Sequence, residues 1–528
     1  MAVIETPPET VTAASEQATP MPRAQARGLA GVLGSGDHKV IGRLYIVTSL
    51  LFGLGVVVLG LMVALEGVKP ATLDVFGKDT VFQAFTLFRF GTLFLLAFPL
   101  VVGVSLAVVP LQVGARSVAF PRAAAASYWG WLVGACLFIA SYAVNGGPGG
   151  GRSSGVNLWL TAMALIVVSL LIAAICLATT VLALRHGGLT LDRVPLFAWS
   201  VAVTAIMWIL TLPVLLGLLA FMYVDHRHAG ASFGANAGIY SHFQWLFRNP
   251  QIYVLAIPVL GFASDVLATT ARARIAPRSA VIGAIGAFGV FSFGAFLVGA
   301  RPGFYSSWVV SGLGLIAVLP VLVVLGLALD LFRRGTIRMN GGAAYAIASL
   351  VVLLLGVLAG AFGSIPRYAT VGTIYDIGTT HAVILASLIA CIGALHWWAT
   401  KIGRQPAMEA PAYIAVLLLL GGSAALAIGD LVSGVFGNAT EIAPDWTGGI
   451  KAANVVVLIG TVLVALGLLV AVIGLLPLLR KGSDVPADPW EGQTLEWLSP
   501  SPPPLENFTE DLAVVTSAEP LVDLREEK

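Results

Sequence analysis

Apolar segments recur from one end of this sequence to the other, and each is about as long as the 20 residues that a helix needs to cross a bilayer. Charged residues make up 11% of the chain, whereas soluble domains carry roughly 25%. The chain therefore has too few charged residues to form the polar surface of a soluble protein. The pattern predicts an all-α integral membrane protein.

The apolar segments predict about twelve transmembrane helices. The predicted spans are 41–66, 84–112, 125–144, 157–184, 196–223, 243–268, 279–299, 308–332, 343–364, 376–400, 411–436 and 452–479. Residues 1–36 are rich in Pro, Ala, Glu and Thr and have no apolar run, which is typical of a disordered tail. The predicted organisation is a cytoplasmic tail at 1–36, a membrane domain at 37–480 and a second cytoplasmic tail at 481–528.

Loop charges predict the orientation, because short loops rich in Lys and Arg face the cytoplasm. Alternate loops carry such residues, namely Arg116, Arg122, Arg185, Arg193, Arg272, Arg274, Arg278, Arg333, Arg334, Arg338, Lys401, Arg404, Arg480 and Lys481. An even number of spans then places both termini in the cytoplasm. The net charge of +2 is small and gives no indication of a nucleic-acid partner. The cysteines, Cys136, Cys176 and Cys391, all lie in apolar runs and are predicted to be small core residues.

Four stretches resemble motifs of subunit I of the haem-copper oxidases, specifically the bacterial cytochrome c oxidase type. They are DHKVIG at 37–42, PLQVGARSVAFPR at 110–122, WLFRNPQIY at 245–253 and DPWEGQTLEWLSPSPPP at 488–504. The matches run in the family's order, and twelve helices is the family's number. The resemblance therefore implies the helix arrangement of that subunit.

The resemblance also implies redox centres, because those enzymes reduce oxygen at a haem–copper pair that is fed by a second haem. Imidazole is the ligand that suits both metals. In the second helix, however, the family's axial histidine corresponds to Phe90. In the sixth, a copper histidine corresponds to Asn249 and the proton-handling glutamate to Gln251, while the family's tyrosine is kept as Tyr253.

Other family positions are replaced as well. The adjacent histidine pair after the seventh helix falls near Ala300 and Arg301, and an arginine does not coordinate copper. The two proton-channel positions correspond to Ser117 and Val324. The paired arginines that hold haem propionates have no counterpart in 421–445.

His381, in the tenth helix, lies at or near the family's pair of haem histidines. Two interpretations stay open: a single axial ligand to one haem, or a hydrogen-bonded histidine within a helix. The remaining histidines are weaker candidates. His38 is expected at the membrane surface, His186, His226 and His228 in loops, His242 at a non-ligand family position and His396 in the interfacial belt.

The sequence thus predicts a cytochrome c oxidase subunit I-like protein of a respiratory electron-transfer complex, redox-inactive and structural or assembly-related. No catalytic or metal-binding residue is predicted. We expect no cofactor, or at most one haem at His381, and no copper. The expected partners are membrane subunits resembling oxidase subunits II and III, a cytochrome and lipid, and the expected location is the bacterial inner (plasma) membrane, crossed several times.

Two alternatives remain. One is an active terminal oxidase with unusual ligands, in which case the chain would be an enzyme. The other is a transporter that reuses the emptied haem cavity. Arg89, Arg248 and Arg301 favour the transporter, because ionisable residues within a membrane are costly and tend to be functional. Three alternatives are open for these arginines: they attract an anion, they pair with Asp376 or Asp265, or they extend to the interface.

Overall fold

The computed structural model describes residues 29–70, 72, 78–148, 150–228, 237–295, 307–365, 370, 373–438, 447–480 and 485–527. It does not describe the side chains at 29–30, 78–79, 81, 237–250, 292–295, 307 and 310. Residues 1–35 and 36–528 form separate units. In the first, the described part contains the short helix Leu29–Leu33, and the disorder predicted for residues 1–28 lies outside the described residues.

The elements of the second unit are helices, with no strand among the described residues. The long ones are α1 (His38–Val68), α2 (Lys78–Gly91, continued by a π-helical turn at Thr92–Ala97 and by Phe98–Gln112), α3 (Pro121–Ala143), α4 (Ser153–Ala183), α5 (Leu196–His228), α6 (Ala237–Ala271), α7 (Arg278–Ala295), α8 (Ser307–Ile316 and Val318–Arg334), α9 (Gly341–Gly363), α10 (Tyr375–Trp397), α11 (Glu409–Val435) and α12 (Gly448–Leu475).

Eleven of these helices are long and apolar enough, over their described residues, to cross a membrane. The other is α7, whose apolar part Arg278–Phe291 is shorter than a full span. The end of that predicted span, 296–299, lies outside the described residues. Each predicted span therefore coincides with a helix, and the chain is a multi-pass membrane protein.

The helices differ in how far they are enclosed by the others. The most apolar windows of α2 and α6 are each 94% buried and that of α10 is 89% buried. The corresponding windows of α1 and α12 are only 28% and 22% buried. The helices α2, α6 and α10, to which the sequence assigns most of the family's ligand positions, therefore form the centre.

The C-terminal segment 485–527 lies across one end of the helices. Asn507 accepts a hydrogen bond from Lys39 Nζ at 2.8 Å and pairs with His38 Nε2 at 2.9 Å, and its own Nδ2 donates to the carbonyl of Ala115 at 2.7 Å. We call this end, where α1 begins and α2 finishes, the capped end, and the other the open end. His38, expected at the membrane surface, is only 1% exposed because this segment covers it.

Three expectations from the sequence are wrong. Cys136 is exposed on α3, whereas Cys176 and Cys391 are buried as expected. His226 and His228 belong to the last turn of α5 and not to a loop, because the helix continues beyond its apolar residues.

The third concerns Asp265, which was a suggested partner for an arginine. Its carboxylate accepts the backbone N–H groups of Leu196 and Phe197 at 3.0 and 2.9 Å, at the beginning of α5. It also lies 3.4 Å from Nε2 of Gln112, near the capped end. Unpaired N–H groups at a helix N-terminus attract a carboxylate, which accounts for its place there.

Candidate functional site

Phe90, at the position of the family's axial histidine, is buried in α2 and turned toward α4. Its ring packs edge-to-face on Trp159, with centroids 5.4 Å apart. Two residues earlier, Phe88 faces α10, and its ring lies 6.1 Å from that of His381. Aromatic side chains therefore occupy the contacts of α2 with α4 and α10.

In α6, Gln251 is fully buried and donates through Nε2 to the hydroxyl of Thr211 at 3.1 Å. Tyr253 is buried, as predicted, with its ring 6.4 Å from that of Phe288. The side chain of Asn249 lies outside the described residues, as do Ala300 and Arg301. In this part of α6, Gln251 is thus a hydrogen-bonded amide and Tyr253 is a buried phenol that packs on a neighbouring ring.

The proton-channel positions carry no titratable group. Ser117 is half-buried in the loop after α2, and Val324 is fully buried in α8. In 421–445, which lacks the expected arginines, residues 439–445 lie outside the described part of the chain.

The histidines with described side chains are spread over the molecule. Besides His38, His186 pairs with the carbonyl of Ala513 at 3.1 Å, and His226 with the hydroxyl of Ser153 at 3.1 Å. His228 is exposed, and the side chain of His242 lies outside the described residues. Within the described residues, no group of three or more His, Cys, Asp or Glu side chains is placed to hold a metal.

His396, near the capped end of α10, is 3% exposed and pairs through Nε2 with Glu409 Oε1 at 2.9 Å. At the interfacial position that the sequence suggested, a buried histidine therefore pairs with a carboxylate that is 42% exposed. Glu409 was not recognised as its partner from the sequence, because the two residues lie on different helices.

His381 forms a second histidine–carboxylate pair, toward the open end. Its Nδ1 lies 2.7 Å from Asp430 Oδ2 of α11. The helices approach closely here, because a Cβ on Gly378 would meet the backbone carbonyl of Ala427 at 2.9 Å. Asp430 is 2% exposed, and a carboxylate so deeply buried requires a hydrogen-bonded partner. Sequence reasoning missed this residue, although it is the one acidic side chain in the apolar run 411–436.

A cavity of about 120 Å³ adjoins this pair. It is partly open and is bounded by the open ends of α1, α2, α10, α11 and α12. Its apolar lining includes Val63, Phe85, Phe88, Ile377, Leu426 and Val457. Its polar lining consists of Glu66, Arg89, His381, Asp430, Asn438, Asn454 and Thr461. The guanidinium of Arg89 lies over the ring of Phe85, at 5.4 Å from its centroid.

The residues present can be compared with what a haem requires. Metal-bound histidines commonly donate their second N–H to a carboxylate, and the His381–Asp430 pair has that arrangement. The cavity, however, is smaller than an engineered cavity of about 150 Å³ that holds benzene, so a porphyrin does not fit it. The described residues around His381 therefore do not form a site that fits a haem.

A second polar cluster lies at the capped end. Glu496 is 1% exposed and accepts from Gln112 Nε2 at 3.1 Å and Trp398 Nε1 at 3.2 Å, and burial raises its pKa to about 7. Burial lowers the pKa of Lys401 to about 8, although Glu496 opposes this shift. Lys401 donates to the carbonyl of Ser499 and lies 5.5 Å over the ring of Trp497. These contacts fix the C-terminal segment to the helix ends.

Comparison with known proteins gives consistent matches. The sequence profile of the family described as "Cytochrome C and Quinol oxidase polypeptide I" matches residues 40–490. Cytochrome c oxidase subunit 1 of Bacillus sp. (strain PS3) is 27% identical over 523 residues, covering 92% of this chain and 83% of that protein. A putative cytochrome c oxidase subunit 1-beta of Streptomyces avermitilis is 28% identical, covering 96% of this chain and 95% of that protein.

Two further comparisons bear on assembly and fold. A protein of Aeropyrum pernix named heme-copper oxidase subunit I+III is 28% identical and covers 89% of this chain, which spans 60% of that protein. Among solved structures, a heme-copper terminal oxidase dimer studied by cryo-EM superposes with a TM-score of 0.71 at 14% identity, covering 85% of each chain. At that identity, the likeness establishes the fold alone.

Proposed function

The chain belongs to the cytochrome c and quinol oxidase polypeptide I family, and we propose that it is a redox-inactive member with a structural or assembly role in a respiratory membrane complex. The observation that carries the proposal is Phe90, which stands at the axial-ligand position and packs on Trp159 at 5.4 Å. Phenylalanine cannot ligate iron, and this side chain is packed against α4.

The replacements at Gln251, Ser117 and Val324 support the same proposal. An oxidase that lost a haem ligand would gain nothing from its proton paths, and one that lost its proton paths would no longer translocate protons. Here the haem, copper and proton-path positions are replaced together, which is the pattern expected once the chemistry is no longer selected.

The proposed partners are membrane proteins resembling oxidase subunits II and III, and the proposed location is the bacterial plasma membrane. The joined name, subunit I+III, of the Aeropyrum pernix relative supports a neighbour of the subunit III kind. The exposed apolar residues of α1 and α12, such as Leu51 at 64% and Ile459 at 52% exposure, provide a surface for lipid or for such a neighbour.

A second candidate, a transporter, is favoured by the cavity beside His381, since this cavity is partly open and has charged residues in its wall. The alternative of an active oxidase would require His381 to carry haem and a partner chain to supply further ligands.

The proposal is tested on the chain purified from its native membrane through an affinity tag. A reduced-minus-oxidised visible spectrum is recorded, haem is extracted, copper is measured per chain, and co-purifying proteins are identified. We expect no haem bands, no copper and stoichiometric membrane subunits. One haem per chain that disappears in His381→Ala would instead support partial redox function. Two haems with copper, or a stable chain without associated proteins, would contradict the proposal.

A further inference from the structure

We propose that a surface of arginines at the capped end binds the phosphate groups of anionic phospholipids, and that the last helix of the chain, α13 (Pro520–Glu526), covers this surface until such a lipid displaces it. Arg272, Arg274 and Arg334 form this surface, which we call the arginine surface. The inference goes beyond the structural role proposed above and does not depend on whether the chain carries a cofactor.

The arginine surface lies where membrane-spanning helices end. Arg272 and Arg274 follow α6, which finishes at Ala271, and Arg334 is the last residue of α8. The side chain of Arg334 donates through Nη2 to the carbonyl of Arg274 at 3.4 Å, so the two arginines are neighbours. Lipid headgroups lie at the ends of apolar spans, and each cationic residue close to an anionic surface strengthens binding about fivefold.

Arg274 is the arginine that α13 covers. Its Nη2 lies 2.7 Å from Asp523 Oδ1 and 2.9 Å from Glu526 Oε2. These two acidic residues are three apart on a helix and therefore lie on the same face of α13. Phosphate oxygens are the other anionic acceptors that a guanidinium binds well. The carboxylates and a lipid phosphate would therefore compete for one side chain.

The covering helix is weakly attached. It has seven residues, and isolated helices shorter than about 12–15 residues are marginal in water. Leu521 is its one buried side chain. Arg274 is 42% exposed and Glu526 67%, and Arg525 pairs with Asp488 at a similarly exposed position. An exposed ion pair shifts an equilibrium by at most about fivefold, so the attraction of an anionic lipid is of the same size.

Glu519, just before α13, marks where the cover is anchored. It pairs with Arg278 at 3.2 Å, and the two side chains are only 10% and 15% exposed. Arg278 also donates to the carbonyls of Asp192 and Val194 at 3.0 and 2.7 Å. Because these bonds do not involve α13, we expect the chain before Glu519 to stay in place while α13 detaches.

The charge of the C-terminal segment adds to this competition. Residues 505–528 contain seven acidic and two basic residues, a net charge of −5. An anionic membrane surface repels such a segment while it attracts the arginines. Anionic lipid therefore favours release of α13 through both partners, whereas zwitterionic lipid, which has no net charge, leaves α13 in place.

The test compares the full-length chain in nanodiscs of phosphatidylcholine with the same chain in nanodiscs of equal parts phosphatidylcholine and phosphatidylglycerol. Amide hydrogen exchange, followed by mass spectrometry, measures the opening of residues 519–527. We expect exchange to be about fivefold faster in the anionic nanodiscs. Protons accumulate at an anionic surface and slow base-catalysed exchange, so a change of local pH would act in the opposite direction. This comparison uses the unaltered chain.

Two variants then identify the arginine. Arg274→Gln removes the partner of both the carboxylates and the phosphate. Exchange should therefore already be fast in phosphatidylcholine and should change less than about twofold in the anionic nanodiscs. Arg404→Gln is the matched control, because it removes an exposed arginine from a different loop of the capped end, the one between α10 and α11. It should keep the difference of about fivefold between the two lipids.

Equal or slower exchange of the unaltered chain in the anionic nanodiscs would overturn the inference. A lipid effect that Arg404→Gln abolishes, or that Arg274→Gln leaves unchanged, would do the same. Soluble glycerol phosphate, added to phosphatidylcholine nanodiscs at the ionic strength of a chloride control, should not accelerate exchange. An acceleration equal to that of phosphatidylglycerol would mean that any phosphate displaces α13, and would overturn the assignment to lipid. Because the experiment measures no cofactor, its result is independent of the proposed function.

Discussion

Two polar side chains within the apolar helices bond to a partner on a neighbouring helix. Gln251 of α6 bonds to Thr211 of α5, and His381 of α10 bonds to Asp430 of α11. A buried polar group left without its partner costs roughly 1–3 kcal/mol, more if it is charged. These hydrogen bonds therefore connect specific pairs of helices.

The His381–Asp430 pair should behave as a unit in stability measurements. Asp430→Leu should lower the apparent melting temperature in detergent, corresponding to roughly 1–3 kcal/mol, because His381 loses its buried partner. Asp430→Asn keeps an acceptor oxygen and should cost less. Combining His381→Leu with Asp430→Leu should recover part of the loss, and strictly additive effects would show that the two side chains are not coupled.

Glu496 should make stability depend on pH. Burial raises the pKa of its carboxyl to about 7, whereas an exposed glutamate titrates near 4.3. Between these pH values the folded chain keeps a proton that the unfolded chain releases. This contribution is fully present below about pH 4.3 and is lost as the pH rises through about 7.

Replacing Glu496 with glutamine removes the charge and keeps the acceptor oxygen for Gln112 and Trp398. Relative to the unaltered chain, Glu496→Gln should therefore be more stable at pH 8, by an amount on the order of 3 kcal/mol, and little changed at pH 4. Apparent melting temperatures at the two pH values measure this. Glu506→Gln, at an exposed position of the same segment, is the control, and a gain that is equal at both pH values would contradict the argument.

At the scale of helix pairs, α11 and α12 are held together by a close approach. A Cβ on Gly460 would collide with the backbone nitrogen of Leu426 and would lie 2.8 Å from the carbonyl of Gly422. Small residues permit such contacts between membrane helices. Gly460→Ala should destabilise the chain by about 1–3 kcal/mol, because backbone atoms must move apart. Gly421→Ala, whose Cβ would meet nothing within 4 Å, should be nearly neutral in the same thermal assay.

One side chain, Asn507, joins the C-terminal segment to three groups at the capped end. Asn507 is fully buried and bonds to His38, Lys39 and the carbonyl of Ala115. Asn507→Ala leaves these groups unsatisfied, and we expect the segment 485–527 to be cleaved at least several times faster in limited proteolysis. Glu506→Ala, at the exposed neighbouring position, should be cleaved as the unaltered chain is; equal rates for the two variants would contradict this role.

How far the sequence predicts these elements depends on the range of the interactions involved. Each predicted span coincides with a helix, because length and hydropathy are local properties of an apolar run. The same reasoning misplaced His226 and His228, since a helix can continue for a turn beyond its apolar residues. It missed the pairing of His381 with Asp430, because no local pattern indicates which residues of two helices will face each other. The contact between His38 and Asn507 likewise joins two residues that lie far apart in the sequence.

At the scale of the whole molecule, the chain keeps the family's fold, and under the proposed function the positions that would hold cofactors have changed. The helix arrangement superposes on a solved oxidase with a TM-score of 0.71. Packing supplies a reason. Phe90 packs on Trp159, and Phe88 packs on the ring of His381. Aromatic contacts between α2 and its neighbours can stabilise the bundle at places where the family has a ligand. Under the proposed function, loss of the cofactors then need not have destabilised the fold.

This view predicts that restoring one ligand will not restore a haem. Phe90→His places an imidazole against Trp159 of α4, turned away from His381, while Phe88 still fills the contact between α2 and α10. With haem supplied during expression, we expect no Soret absorbance from the purified variant. We also expect a stability loss of roughly 1–3 kcal/mol, because a buried imidazole replaces an apolar ring.

Phe90→Leu, which is apolar and smaller, separates the cost of lost packing from that of the polar group. The contrary result is a Soret band that appears in Phe90→His and disappears when His381→Ala is added. It would mean that the space for a haem is still present and that few substitutions removed haem binding from the chain.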